Sequence, residues 1–521
     1  MGTRLLSATA LSAVVMVAVA GSPATASDVS ESRGYRKAIT PANMVRHLQA
    51  FQSHAAGQGN RVAGSPAYEA SASYVAARLA EVGYTVSNHS FDFTFNADAT
   101  PPVLARLSAP AATYVDGVDF ASMTYSPNGD VSAPLHAVDL VVPPGGTDNV
   151  STSGCEAADF AGFPAGAIAL IQRGTCAFAL KAANAAAAGA SAVVVFNEGQ
   201  PGRTAALSGT LGGPQAYSAP VVGTSFEIGA ALAGGVTNGA TGVNARVRVD
   251  RLNEVRTTRN VIAERVGTDP TKVVVVGAHL DSVPRGPGIN DNGTGSAAIL
   301  EAARVMAQRS ITPRNTVRFM WYGAEEFGLL GSAAYVSSLP TAEVARIKAM
   351  LNFDMIGSPN YVRFIYDGDN SAFPVGPNVQ DGPDGSGAIE QMFADYFASQ
   401  GLASAPTPFN GRSDYGPFIT RGIPAGGLFT GAEGVKSATE AAQFGGTAGE
   451  PYDRCYHLAC DDVANVNVTA LDQMSDAMAH VLLTLAKRNF DKSPLVDPAP
   501  VAGGPATGGG GGLHDHDEEE A

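Results

Sequence analysis

From about residue 255 the chain alternates short apolar runs with longer runs of helical spacing, and this alternation restricts the fold more than any other feature. KVVVVGAH (272–279) is continuously apolar at strand length, as in a parallel strand covered on both faces. GTGSAAILEAARVMAQR (293–309) sets Ile299, Leu300, Ala303 and Met306 on one helical side. NTVRFMWYG (315–323) reads as a second strand, GLLGSAAYVSSL (328–339) as a second helix and KAMLNFD (348–354) as a third strand. Repeated βα units predict an open α/β sheet, mostly parallel, with helices on both faces.

Upstream, residues 41–96 read as helix, helix, strand: Tyr74, Val75, Leu79 and Val82 recur at helical spacing, Gly83 ends the run, and YTVSNHSFDF alternates. The composition then changes. Residues 115–245 are rich in short strands, Gly and Pro, with a strand at Ala167–Ile171, a helix at Ala177–Ala188 and a strand at Ala192–Phe196. No cluster of acids and histidines occurs there, so the segment is read as a separate insert. The expected division is a leader at 1–26, a first part of the main domain at 27–114, the insert at 115–245, the main domain at 246–490 and a flexible Gly/Pro-rich acidic tail at 491–521.

Arg4, the apolar stretch Leu5–Ala20 and the small residues Ala24-Thr25-Ala26 form a secretory leader; a membrane anchor is the alternative reading. Hydrophobic residues make up 45% of the chain and charged residues 16%, enough for large cores. The formal charge is −15, and loss of Arg4 with the leader makes it −16. That balance argues against a nucleic-acid partner, whose phosphates need a basic face. No later run is long and apolar enough to span a bilayer. The expectation is a secreted, extracellular monomer without membrane or nucleic-acid partners. Cys155, Cys176, Cys455 and Cys460 are an even count in an exported chain, and their spacing suggests the local pairs Cys155–Cys176 and Cys455–Cys460.

The candidate chemistry sits where strands end. His279 closes one strand, Asp291 lies in the loop after it, Glu325 and Glu326 follow the strand Thr316–Tyr322, and Asp354 closes the next. In open α/β sheets the carboxyl ends of strands line the ligand crevice. His279, Asp291, Glu326, Asp354 and His457 supply two imidazoles and three carboxylates, which is two terminal ligands for each of two zinc ions plus one bridge. Asp281, two residues past His279 on an extended segment, points the same way and can accept the other imidazole proton.

The segments GAHLDS, GINDNGTGSA, WYGAEEFGLLGS, NFDMIGSPN, GRSDYGPF and DRCYHLACDD resemble those of secreted aminopeptidases of metallopeptidase family 28, of the leucine aminopeptidase and aminopeptidase Y type. GNRVAGSPAYEASASYV resembles their N-terminal portion, and GCEAADF with GAIALIQRGTCAFALKAANAAAAGA resembles a protease-associated domain. The resemblance spans nearly all of residues 40–490. It implies a zinc-exopeptidase sheet interrupted by a small β-rich protease-associated domain. It implies that His279 and Asp354 bind one zinc, Glu326 and His457 the other, and that Asp291 bridges them. Glu325 is then the general base toward a water shared by the metals, Tyr456 steadies the oxyanion, and Arg412 lies at the substrate. The Asp291–Asn292 peptide bond is expected to be cis. The implied reaction removes N-terminal residues, large apolar ones such as Leu, from peptides with a free N-terminus.

Other readings stand beside these. Arg412 pairs with Asp414 or another acid instead; Phe429 and Met355 line a specificity pocket or pack in the core; Asp461 and Asp462 bind calcium or cap a turn. His47, His54, His89 and His136 are read as surface or core residues. A carboxypeptidase or glutaminyl cyclase on the same fold, or a non-catalytic binding module, is the rival function.

Overall fold

A computed structural model describes residues 26–146, 150–200, 203–376 and 378–498. The leader therefore lies outside the described residues except for Ala26, where helix Ala26–Arg36 begins. The tail from residue 499 onward lies outside them as well.

The apolar runs of the second half build an eight-stranded mixed sheet. At its centre, Asn315–Tyr322, Asp269–His279, Ile347–Phe353 and Ala425–Phe429 run parallel. Antiparallel strands Val86–Asp98 and Arg251–Arg265 extend one edge, and the short strands Phe364–Tyr366 and Ala405–Thr407 extend the other. Period-two alternation sorts the side chains. Val274 and Val276 face a core with Leu48, Phe51, Ile299, Trp321, Phe353 and Leu482. Val273 and Val275 face the opposite core with Tyr322, Tyr335, Phe418 and Ile419. Helices cover both faces, as the βα alternation requires: Pro41–Ala55, Pro66–Ala80, Thr294–Gln308 and Val468–Lys487 on one, Leu330–Ser338 and Tyr415–Thr420 on the other. Pro66–Ala80 starts where it does because Ser65 accepts the N–H of Tyr68 and Pro66 needs no donor partner in the first turn.

A second eight-stranded sheet holds the insert, and its strands run from Val103–Arg106 to Gly239–Val249. It therefore begins upstream of residue 115, within the stretch read as main domain. Val103–Arg106 pairs with Gly239–Val249, so the outgoing and returning chain lie side by side within the sheet. The strand, helix and strand expected near 167–196 are Ile168–Gln172, Phe178–Ala187 and Ala192–Phe196. The insert is joined to the main sheet by the ladder of Val86–Asp98 with Arg251–Arg265, paired from Val86↔Ala263 to Asp98↔Arg251. The start of the expected tail is structured: Leu495 packs against the main core, and Asp497 accepts the N–H groups of Gly385 and Ala388 at the start of helix Ser386–Ser399. A free helix N-terminus needs such an acceptor.

Sulfur atoms pair as Cys155–Cys176 (2.07 Å) and Cys455–Cys460 (2.08 Å). Among the described residues no helix is long and apolar enough to cross a membrane.

Candidate active site

The parallel strands deliver their ends to one pocket. His279 is the last residue of its strand, and Asp354 follows the strand Ile347–Phe353. Glu325 and Glu326 open a short turn after Asn315–Tyr322. Asp291 comes from the loop before helix Thr294–Gln308, preceding a cis bond to Asn292. His457 comes from the loop closed by Cys455–Cys460. These residues line a single pocket together with Met355, Tyr366, Pro408, Arg412, Phe429 and Tyr456. Phe429 and Met355 thus reach the pocket.

Asp291 stands between two imidazoles. Its Oδ1 is 3.2 Å from His279 Nε2 and its Oδ2 is 3.2 Å from His457 Nε2. Asp354 Oδ1 is 3.3 Å from His279 Nε2, and Glu326 Oε2 is 3.2 Å from His457 Nε2. Two donor groups result, His279–Asp291–Asp354 and Asp291–Glu326–His457, sharing Asp291. Within them the buried oxygens Asp354 Oδ1 and Glu326 Oε1 carry no hydrogen bond. Buried carboxylates without donors are costly unless a cation compensates them. Imidazole and carboxylate donors at this spacing fit a pair of zinc ions. His47, His54, His89 and His136 belong to neither group.

The charges respond to this crowding. Burial raises the Glu325 carboxyl well above its ordinary range; nearby His279 opposes the shift, and Asp354 and Glu326 add to it. Burial also raises Glu326, with Asp291 adding to the effect. Burial opposes the charged form of His457, but Glu326 and Asp291 outweigh it and push the imidazole up to about 10. Burial would raise Asp291, yet hydrogen bonds with His279 and His457 hold it below the carboxylate range.

Glu325 belongs to neither donor group, and its Oε2 lies 3.8 Å from His279 Nε2. Asp281 stands beside the other ring nitrogen of His279 and also serves the backbone. It lies 3.7 Å from His279 Nδ1, beyond hydrogen-bond range, and its two oxygens accept the backbone N–H groups of Glu325 (3.2 Å) and Glu326 (3.4 Å). Those amides open a turn and have no helical acceptor, so the carboxylate is drawn to them. Arg412 pairs with an acid as the alternative reading had it, though with Glu433 and not Asp414. Its Nη1 binds Glu433 Oε1 at 2.7 Å and its Nη2 donates to Tyr456 Oη at 3.0 Å. Asp461 accepts the N–H groups of Asn290 and Asp291, and Asp462 accepts those of Ala464 and Asn465, so both spend oxygens on backbone turns.

Several supports were not visible in the sequence. Ser413 donates to Asp354 Oδ2 at 2.6 Å and is itself held by Asn352 Nδ2 at 2.7 Å. Arg61, from GNRVAGSP, is fully buried. Its guanidinium donates to the carbonyls of Leu280, Pro287 and Gly288, and its own N–H donates to Ser282 Oγ. It thereby cross-braces the loop between His279 and Asp291. A lone arginine among Val, Ala and Gly was the available signal.

Ala324, Met355 and His457 have positive φ (58°, 46° and 58°). Non-glycine residues rarely adopt this conformation, and here each is a candidate ligand or the neighbour of a candidate site residue.

The sequence matches Peptidase family M28 over residues 260–482 and the PA domain over residues 133–232. An aminopeptidase of Pseudomonas aeruginosa is 47% identical over 455 residues, covering 87% of this chain and 82% of that one. The chain belongs to peptidase family M28. Within that family it is also 43% identical over 441 residues to a probable leucine aminopeptidase 2 of Aspergillus fumigatus, covering 84% of this chain and 81% of the relative. The solved aminopeptidase from Aneurinibacillus sp. strain AM-1 superposes with a TM-score of 0.65 at 28% identity, over 90% of this chain and 98% of that one. The M28 match begins at the strand that leads out of the insert and ends inside the last helix, so it contains all five candidate ligands.

Proposed function

We propose that this M28 peptidase is a secreted aminopeptidase that holds two zinc ions and hydrolyses the first peptide bond of peptides, favouring large apolar N-terminal residues such as Leu. The observation that carries this reading is the position of Asp291, whose two oxygens face the imidazoles of two separate donor groups. His279 and Asp354 would hold one zinc, Glu326 and His457 the other, and Asp291 both. When bound, the ions would polarise the scissile carbonyl and acidify a water.

The chain's own side chains then do the rest. Glu325 Oε takes the proton of the attacking water and passes it to the leaving amine, a role open to it because neither donor group needs it. Tyr456 Oη donates to the oxyanion of the tetrahedral intermediate. A requirement for the substrate's free ammonium would restrict cutting to the N-terminal bond. Met355, Tyr366, Pro408 and Phe429 give the pocket an apolar wall suited to a leucyl side chain.

The test compares a leucyl anilide with its N-acetylated form, each with and without a zinc chelator. Chelator-sensitive cleavage of the free amine alone is expected. Equal cleavage of the acetylated compound overturns the aminopeptidase reading, and chelator-resistant cleavage overturns the metal.

A further inference from the structure

Tyr456 Oη sits at the end of a chain of charge. Glu433 Oε1 binds Arg412 Nη1 at 2.7 Å, and Arg412 Nη2 donates to Tyr456 Oη at 3.0 Å. The three residues come from separate parts of the fold. Glu433 follows the strand Ala425–Phe429, Arg412 precedes the helix Tyr415–Thr420, and Tyr456 lies in the Cys455–Cys460 loop. Guanidinium has only donors, whereas a phenol has one proton and two acceptor lone pairs. The bond to Arg412 therefore fixes the direction in which it is made: Tyr456 accepts, and its own proton is left for another acceptor.

The phenol is held on a second side. Its ring stacks on that of His457 with centroids 3.8 Å apart and planes 24° from parallel. With the ring fixed against a candidate ligand and one lone pair occupied by Arg412, the O–H is restricted in the directions it can take. Arg412 and Tyr456 both line the pocket that holds Glu325 and the two donor groups. The backbone of Arg412 is set independently: its N–H binds Asn410 Oδ1, and Tyr415 Oη accepts the N–H groups of Asn410 and Gly411. What the backbone does not set is the long side chain, which is 41% exposed and gains rotamer freedom once its carboxylate is removed.

We propose that Glu433 is a positioning residue for catalysis: it orients Arg412 so that the guanidinium occupies the acceptor side of Tyr456 and leaves the phenol proton for the substrate oxyanion. Glu433 does not line the pocket. Its effect falls on the transition state, where the oxyanion forms, and so on kcat rather than KM. The proposal rests on the role given to Tyr456 above, and the test separates the two.

The experiment is a double-mutant cycle with a leucyl anilide, using zinc-loaded protein whose metal content and thermal midpoint are measured for every variant. Tyr456→Phe is expected to lower kcat by about 10²-fold or more, the scale of one oxyanion donor. Glu433→Ala is expected to lower kcat about tenfold with little change in KM, the order expected on losing a charge-assisted hydrogen bond. In the Tyr456→Phe background the same substitution changes kcat by no more than about twofold, because the group it acts through is gone. Glu433→Gln, which keeps an acceptor for Arg412, recovers most of the loss. An equal loss in both backgrounds, or a loss confined to KM or to thermal stability, overturns the positioning role while leaving Tyr456 intact as a donor. A Tyr456→Phe enzyme with undiminished kcat overturns the donor reading and this proposal with it.

Discussion

Asp461 Oδ2 accepts the backbone N–H of Asp291 at 3.0 Å, so the residue common to both donor groups is held from behind by an acid that does not line the pocket. Its other oxygen takes the N–H of Asn290 at 2.8 Å. The two bonds fix the backbone from which Asp291 reaches both imidazoles.

Replacing Asp461 by Ala leaves two buried N–H groups without acceptors, at about 1–3 kcal/mol each. Loss of such outer support weakens metal retention by roughly 10–100-fold. Competition against a fluorescent chelator is the measurement, with Asp461→Asn intermediate because it keeps one acceptor oxygen. Unchanged zinc affinity in Asp461→Ala would show that the loop holds itself.

Glu325→Gln removes a proton acceptor but no candidate ligand. Activity on a leucyl anilide should fall by at least about 10²-fold, with both zinc equivalents retained by mass spectrometry. Loss of one equivalent would mean that Glu325 ligates a metal.

Arg61 is a structural prediction of a different kind. Arg61→Met strands the carbonyls of Leu280, Pro287 and Gly288 and removes a buried cation beside Asp281, Asp461 and Asp291. Destabilisation of about 3 kcal/mol or more is expected. Trp321 is the chain's single tryptophan and is fully buried in a central strand, so its fluorescence reports unfolding of this sheet. Arg61→Lys should restore only part of the loss, since one ammonium lacks the fork that reaches three carbonyls. Full restoration by Lys would reduce the role of Arg61 to its charge.

The candidate ligands were legible in the sequence and their supports were not, for a physical reason. His279, Glu326 and Asp354 stand at or just after the ends of apolar strands, and that local pattern marks the crevice. Arg61 reaches Leu280 across 219 residues and Asp461 reaches Asp291 across 170, and nothing local in either segment encodes such a pairing. The edge strands Phe364–Tyr366 and Ala405–Thr407 are three residues each, too short to establish an alternation. Period-two reasoning placed Asp281 beside His279 but could not show that its oxygens also accept the N–H groups of Glu325 and Glu326.

Outside the pocket lining, burial raises Glu390 to about 8 from an ordinary 4.5, with the Gly368 N–H opposing and Asp367 and Asp369 adding. Burial raises Asp367 as well, opposed by the N–H groups of Ser371, Ala372 and Phe373 that it accepts. A folded-state value above the unfolded one means that the folded chain binds the extra proton between these two values. The contribution to stability is full below pH 4.5 and declines as pH rises through about 8. Glu390→Gln should therefore raise the urea midpoint near pH 8 and leave it unchanged near pH 4.5, read by Trp321 fluorescence. A gain of equal size at both values would remove the titration from the explanation.

The ladder joining the insert to the main sheet has a topological consequence. Its two strands stay in register for thirteen pairs, ending at Asp98↔Arg251. The chain thus departs and re-enters at adjacent points, and a short turn spliced across that gap would close an ordinary hairpin. Such an excision leaves every strand of the catalytic sheet with its neighbours. The fold is therefore modular at this seam: the appended body can be lost, exchanged or enlarged without rethreading the part that carries the two donor groups.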